Sequence, residues 1–230
     1  MNIGQAVPLA LLLCILSHNC IAVPIVRDGE PSSVVDVNVE TVYLAAGCYW
    51  SVELAFQRLP GVMETSVGFA GGMTTSPTYE AVTTGSTGHA ETVEVKFNQK
   101  KVSFDEILKV FFALHDPTTK NRQGGDVGTQ YRSAIFFTSA EQQAAAKMYM
   151  EQHQKKLSRP IVTELSSISG YTRAVENHQK YLQKLGQNAD KGAVSPIRCY
   201  GNRGPWKQIK ESVQSLFTRK NDGGVSHDEF

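Results

Sequence analysis

The stretch TVYLAAGCYWSVELAFQRLPG, residues 41–61, changes its period at a single residue. TVYLAAG is a short apolar run with the Val and Tyr content of a buried strand, and it ends in glycine. After Cys48, Val52, Ala55, Phe56 and Leu59 recur at helical spacing until Pro60 and Gly61 stop the pattern. A strand running straight into a helix puts Cys48 at the junction, on or just before the first helical turn. There the unpaired N–H groups and the positive end of the dipole favour a thiolate. A structural cysteine also sits in apolar surroundings. Tyr49 and Trp50, two large rings beside the sulfur, suit a pocket at the surface better than a core.

Outward from this unit the two patterns alternate. METSVGFAGGMT (62–74 with its preceding valine) reads as a strand running into a glycine turn, and HAETVEVKF as a strand of period two. SFDEILKVFFALHDP is a helix with a capping box, Ser103 with Glu106, ended before Pro117. TQYRSAIFF reads as a strand, SAEQQAAAKMYMEQHQKKL as a helix capped by Ser139 and Gln142, PIVTELSSI as a strand and TRAVENHQKYLQKLG as a helix. Residues 186–215 are Gly-rich and irregular and carry Cys199. Strands and helices alternate, with two strands in succession near the start. The expected fold class is α+β, a two-layer arrangement of a mixed sheet and the helices packed on it.

The 230 residues are 41 % apolar, enough for one sizeable domain, with 23 Lys and Arg against 22 Asp and Glu and no long run of either sign. No nucleic acid and no membrane surface is expected as a partner. AVPLALLLCILS, residues 6–17, has the length of a signal-peptide core and is too short to span a bilayer. The expected organisation is a signal peptide over 1–22, a linker over 23–40, a domain over 41–215 and a polar tail over 216–230. The tail ends in HDEF, which resembles the H-D-E-L retrieval signal with Phe230 in place of leucine. Both ends point to the secretory pathway: the endoplasmic reticulum lumen, or secretion. Cys14 and Cys20 leave with the signal, so Cys48 and Cys199 remain as one structural bridge or one reactive pair.

Two further segments carry chemistry. In GHAETVEVKF the period of two puts Glu91 on the face of Val93, Val95 and Phe97. A carboxyl group on an apolar face either frays into solvent at the strand end or holds a proton, as a general acid must. In HDPTTKNRQGGDVGTQYRS, Asp126 and Tyr131 flank Gly128 in a loop before a strand, and Tyr79 lies in the earlier loop TSPTYEAV. The two tyrosine hydroxyls can donate to a substrate oxygen, or the rings serve as ordinary packing.

GCYWS, GHAE, PTY and DVGTQYRS, in this order, resemble the motifs G-C-F-W-G, G-H-A-E, P-T-Y and D-x-G-T-Q-Y-R-S of the A-class peptide methionine sulfoxide reductases, over about residues 41–200. The resemblance implies a ferredoxin-like core. It implies that Cys48 attacks the sulfoxide sulfur and becomes a sulfenic acid, with Glu91 donating the proton. Tyr79 and Tyr131 would hold the oxygen with Asp126 in support, and Tyr49 and Trp50 would wall the methyl group. Cys199 would form the disulfide, which an external thioredoxin-like thiol reduces. The resemblance also implies oxidised protein or peptide substrates, the S epimer at sulfur, and no bound cofactor or metal; a monomer is expected. Tyr49 and Ser51 depart from the motif's Phe and Gly. Ala193 stands where branches with a disulfide relay carry another cysteine, so no relay is expected.

Three other readings compete. HAE matches the H-x-E of zinc deaminases, but the P-C-x-x-C that must accompany it is absent. A thiol hydrolase would pair Cys48 with His89, His115 or His178. A binding module would bridge Cys48 to Cys199 and recognise methionine without turnover.

Overall fold

The computed structural model describes residues 38–199 and 211–218. The signal peptide, most of the linker, and the HDEF tail lie outside the described residues.

The opening stretch folds as β1 (Val39–Ala46) followed by α1 (Tyr49–Arg58). Then come β2 (Val62–Ala70), the short α2 (Tyr79–Thr83), β3 (Ala90–Asn98) and α3 (Phe104–Leu114). A small hairpin, β4 (Arg122–Gln123) with β5 (Asp126–Val127), precedes β6 (Ser133–Phe137), α4 (Ala140–Gln154) and β7 (Glu164–Ser167). β8 (Tyr171–Arg173), α5 (Tyr181–Lys184) and α6 (Glu211–Thr218) complete the described chain.

The main sheet runs β7-β6-β1-β3-β2-β8, and only the β6–β7 pairing is parallel. Its centre, β1-α1-β2-β3-α3-β6 with strand order β6-β1-β3-β2, is two interlocked split β-α-β units, the ferredoxin-like arrangement. The α+β expectation therefore holds. α1 and α3 lie on one face, where Val42, Leu44, Val67, Val93, Val95 and Phe97 meet Phe56 and Phe111 in the main core. On the opposite face Ala45, Ala70, Ala90, Ala134 and Phe136 form a thinner cluster.

The Ser103–Glu106 capping box of α3 forms as expected. At α4 only half forms: Ser139 accepts from the Gln142 N–H, but the Gln142 side chain turns to Thr138, Glu40 and Thr41. Three expectations need correction. The strand over TQYRSAIFF begins only at Ser133, because Thr129–Tyr131 make a 3-10 turn. The helix expected over 172–186 is instead β8, a run of turns and the four-residue α5. Gln179, buried, takes the backbone out of the helix: its Nε2 donates to Val67 O and Ala174 O, and its Oε1 accepts from Val67 N–H. Residues 39–40, expected in the linker, belong to β1, and α6 carries Leu216 and Phe217 into the main core beyond the expected boundary at 215.

Candidate active site

Cys48 is the residue immediately before α1, with extended backbone angles of φ −58° and ψ 117°. The turn that places it there needs Gly47, whose φ is +91° and where a Cβ would lie 2.7 Å from the Gln123 side chain. The first free donor of α1, the Tyr49 N–H, meets Glu91 Oε2 at 3.0 Å. Glu91 reaches it from the start of β3, opposite Phe69 of β2 and on the helix-facing side, with 2 % of its surface exposed.

That burial decides the protonation of Glu91. Desolvation pushes its pKa up to about 8, and the nearby Asp126 and Cys199 add to the rise. The single N–H from Tyr49 opposes this and does not reverse it. Glu91 therefore carries a proton at neutral pH, and of the two readings its place on the apolar face left open, fraying into solvent is excluded by its burial.

Cys48 and Cys199 meet with their sulfurs 3.3 Å apart, both as thiols and each only 9 % exposed. The expectation of a thiolate favoured by the helix is corrected here. The hydrogen bond with Cys199, burial and the Glu91 charge hold the Cys48 thiol well above its ordinary pKa, and the Trp50 N–H alone opposes them. One helix N–H does not outweigh a buried anion's loss of water. While Glu91 keeps its proton, the charge contribution from it lapses and the pair rests as neutral thiol and neutral acid.

Tyr79 and Tyr131 lie close enough to Glu91 and Cys48 for those charges to act on them. Tyr79 and Tyr131 are raised in pKa, first by burial and then by the Glu91 charge, with Cys48 and Asp126 also acting on both. They remain O–H donors. Burial raises Asp126 as well. Tyr49 is buried and Trp50 half-buried, their rings 5.9 Å apart.

Two aromatic residues that the motifs did not single out as site residues complete this wall. His178 stands with Nδ1 2.6 Å from the Tyr49 hydroxyl and its ring 4.6 Å from that of Tyr79. Tyr181 stacks on Trp50 at 4.1 Å with 20° between planes. Both arrive through the turns that replace the expected helix, so helical period hid them. Burial lowers the pKa of His178, which favours a neutral ring. Ser51, in the place of the motif glycine, is fully buried, and its Oγ has no hydrogen-bond partner among the described residues.

Of the three histidines that a thiol hydrolase could use, His178 lies in this wall with Nδ1 at the Tyr49 hydroxyl, while His89 and His115 are engaged elsewhere. The His89 ring nitrogens lie 3.2 Å from Gly72 N and 2.8 Å from Thr74 O, and those of His115 lie 2.8 Å from Phe111 O and 2.7 Å from Ser133 Oγ.

The ferredoxin-like domain sets one thiol at a helix start against a second thiol and a neutral carboxylic acid, an arrangement suited to a thiol oxidoreductase. The family model described as peptide methionine sulfoxide reductase matches residues 40–206. Peptide methionine sulfoxide reductase A1 of Arabidopsis thaliana is 50 % identical over 161 residues, which cover 68 % of this chain and 80 % of the relative. Among solved structures, methionine sulfoxide reductase A of Corynebacterium diphtheriae aligns with a TM-score of 0.64 at 37 % identity, covering 76 % of this chain and 91 % of the other. Mxr1 of Saccharomyces cerevisiae in its reduced form also aligns at 0.64, with 31 % identity, covering 73 % and 92 %. The chain belongs to the peptide methionine sulfoxide reductase family, and it is an oxidoreductase.

Proposed function

We propose that the Cys48 sulfur reduces the S-sulfoxide of methionine in oxidised proteins and peptides, with Glu91 as proton donor. The observation that carries this is the neutral Glu91 carboxyl group held by the Tyr49 N–H, one residue from the nucleophile. Cys48 sulfur attacks the sulfoxide sulfur while Glu91 passes its proton to the sulfoxide oxygen, and the proton of the Cys48 thiol restores Glu91. The S–O bond then transfers: methionine leaves reduced, and Cys48 holds the oxygen as a sulfenic acid. A thiol that rests protonated is consistent with this exchange, because no buried anion is present before substrate arrives.

Tyr79 and Tyr131, as phenols that keep their protons, donate to the sulfoxide oxygen, and Asp126 supports them. Tyr49 and Trp50, extended by His178 and Tyr181, enclose the methyl group. Cys199 then displaces the oxygen of the sulfenic acid as water and forms the disulfide with Cys48. An external dithiol of thioredoxin type returns both cysteines to thiols. Both sulfurs come from one chain, so a single chain carries every cysteine that the proposed reaction uses, in keeping with a monomer.

The secretory location belongs to the same reading and rests on sequence alone, on the apolar run 6–17 and the terminal HDEF. Deleting residues 227–230 should send the protein from the endoplasmic reticulum into the medium; an unchanged distribution would sink the retrieval role.

The chemistry is tested by a single turnover with reduced protein, a peptide methionine sulfoxide of defined S or R configuration and no recycling thiol. One methionine per chain from the S form, with a loss of two mass units located to Cys48 and Cys199, is expected. Absence of methionine although both thiols are reduced would overturn the reading in favour of a binding module.

A further inference from the structure

The segment that brings Cys199 to Cys48 is held in two places by side chains that the chemistry above leaves unused. Arg58, the last residue of α1, is fully buried. Its Nε donates to Asn188 O at 2.7 Å, its Nη1 to Ser195 O at 2.6 Å and its Nη2 to Ser195 Oγ at 3.3 Å. The Gly192 N–H donates back to Arg58 O at 2.8 Å. Burial lowers the pKa of this guanidinium, and a buried cation is tolerated only where acceptors surround it. Residues 188–195 are thereby fastened to the helix that presents Cys48.

The second fastening lies next to the cysteine itself. Gln187 Nε2 donates to Arg198 O at 2.6 Å, and the Arg198 N–H donates to Gln187 Oε1 at 3.0 Å. Between the two fastenings Ile197 is buried against Leu54, Ala55 and Leu182. Residues 195, 197 and 198 are therefore each fixed from a different side, and the Cys199 sulfur ends 3.3 Å from that of Cys48.

We infer that Arg58 and Gln187 are positioning residues for the disulfide-forming step, which they serve by holding the backbone before Cys199. The inference rests on the proposed role of Cys199. In that step the Cys199 sulfur attacks the sulfenic sulfur of Cys48. The S–S bond forms and the S–O bond breaks, and the oxygen leaves as water with the thiol proton. Cys199 is oxidised and the sulfenic sulfur is reduced. Holding two reacting atoms in place removes most of the entropic cost of their meeting. A frayed tail would offer the same thiol only at the effective concentration of a flexible linker.

The test follows both half-reactions in one single turnover with an S-configured peptide sulfoxide, sampled over time into dimedone, which traps sulfenic acid. Gln187→Ala should release methionine at the wild-type rate. Its disulfide should form at least about tenfold more slowly, with a dimedone adduct accumulating on Cys48. Gln187→Glu, which keeps the acceptor and loses the donor, should fall between. Arg58→Lys should show the same division of rates; where it does not fold, the Gln187 variants decide. A purely structural residue would slow both half-reactions together, and that result overturns the inference. So does wild-type disulfide formation in Gln187→Ala while Cys199→Ser accumulates the adduct, an outcome that leaves the role of Cys199 standing. If Cys199→Ser accumulates no adduct after releasing methionine, the role of Cys199 falls and the inference with it.

Discussion

The N–H of Tyr49 does for Glu91 what a helix start ordinarily does for an anion, yet Glu91 stays neutral because it is buried away from water. A pKa raised to about 8 leaves the acid form present below that pH and lost above it. The rate of methionine formation in single turnover should therefore fall as pH rises past about 8. Glu91→Gln cannot supply a proton, so it should lose about 10²–10⁴ in that rate, and the high-pH decline should vanish with it. A pH–rate series on both proteins checks this. Ser51 raises a different matter at this scale, a buried hydroxyl with no hydrogen-bond partner among the described residues. Ser51→Ala should stabilise the fold by about 1 kcal/mol, read as a higher urea midpoint with unchanged slope. Glu91 was legible in the sequence because strand period assigns a face to each residue. The orphan state of Ser51 was not, because a partner's absence is a property of everything packed around it.

Among the elements, the run 171–186 shows how a local pattern can be overruled. Its residues have helical content, but β8 pairs with the edge of β2 and Gln179 then secures the turn to Val67 and Ala174. Lys180 adopts φ +52°, and its N–H donates to Glu53 on α1 at 2.8 Å. These contacts with distant strands outweigh helix propensity, which is worth only tenths of a kcal/mol per residue. Gln179→Ala would leave the Val67 N–H and carbonyl unpaired in the interior. It should cost about 3 kcal/mol, visible in denaturant titration. The same change should raise KM more than it lowers kcat, because His178 loses its support beside Tyr49 and Tyr79. By contrast, α1 and α3 were legible to within a residue or two: their apolar spacing is flanked by stop and cap residues that need no distant partner.

For the molecule as a whole, two buried acids tie stability to pH. Glu53, 1 % exposed, is pushed up to about 7 by burial, although Lys180 N–H and Thr65 Oγ1 donate to it. Glu91 is pushed up to about 8. The unfolded chain releases both protons near 4.5, the ordinary value, while the native chain keeps them. Their contribution is thus complete below that value and declines as pH rises, through about 7 for Glu53 and about 8 for Glu91, by up to about 1.4 kcal/mol per pH unit for each. Urea midpoints should fall from acid toward neutral pH, and Glu53→Gln should flatten the decline below about pH 7 while leaving the part due to Glu91. The sequence by itself determined the order of the main strands and helices from β1 to β7, the place of Cys48 at their first junction and the inward face of Glu91, because each follows from spacing along a few residues. Only the tertiary structure decided that Cys48 and Cys199 would rest as two thiols in contact, that His178 and Tyr181 would close the aromatic wall, and that thiol and acid would both be neutral. Those depend on bringing together residues up to 151 positions apart and on excluding water from the space between them, and neither is written in any local period.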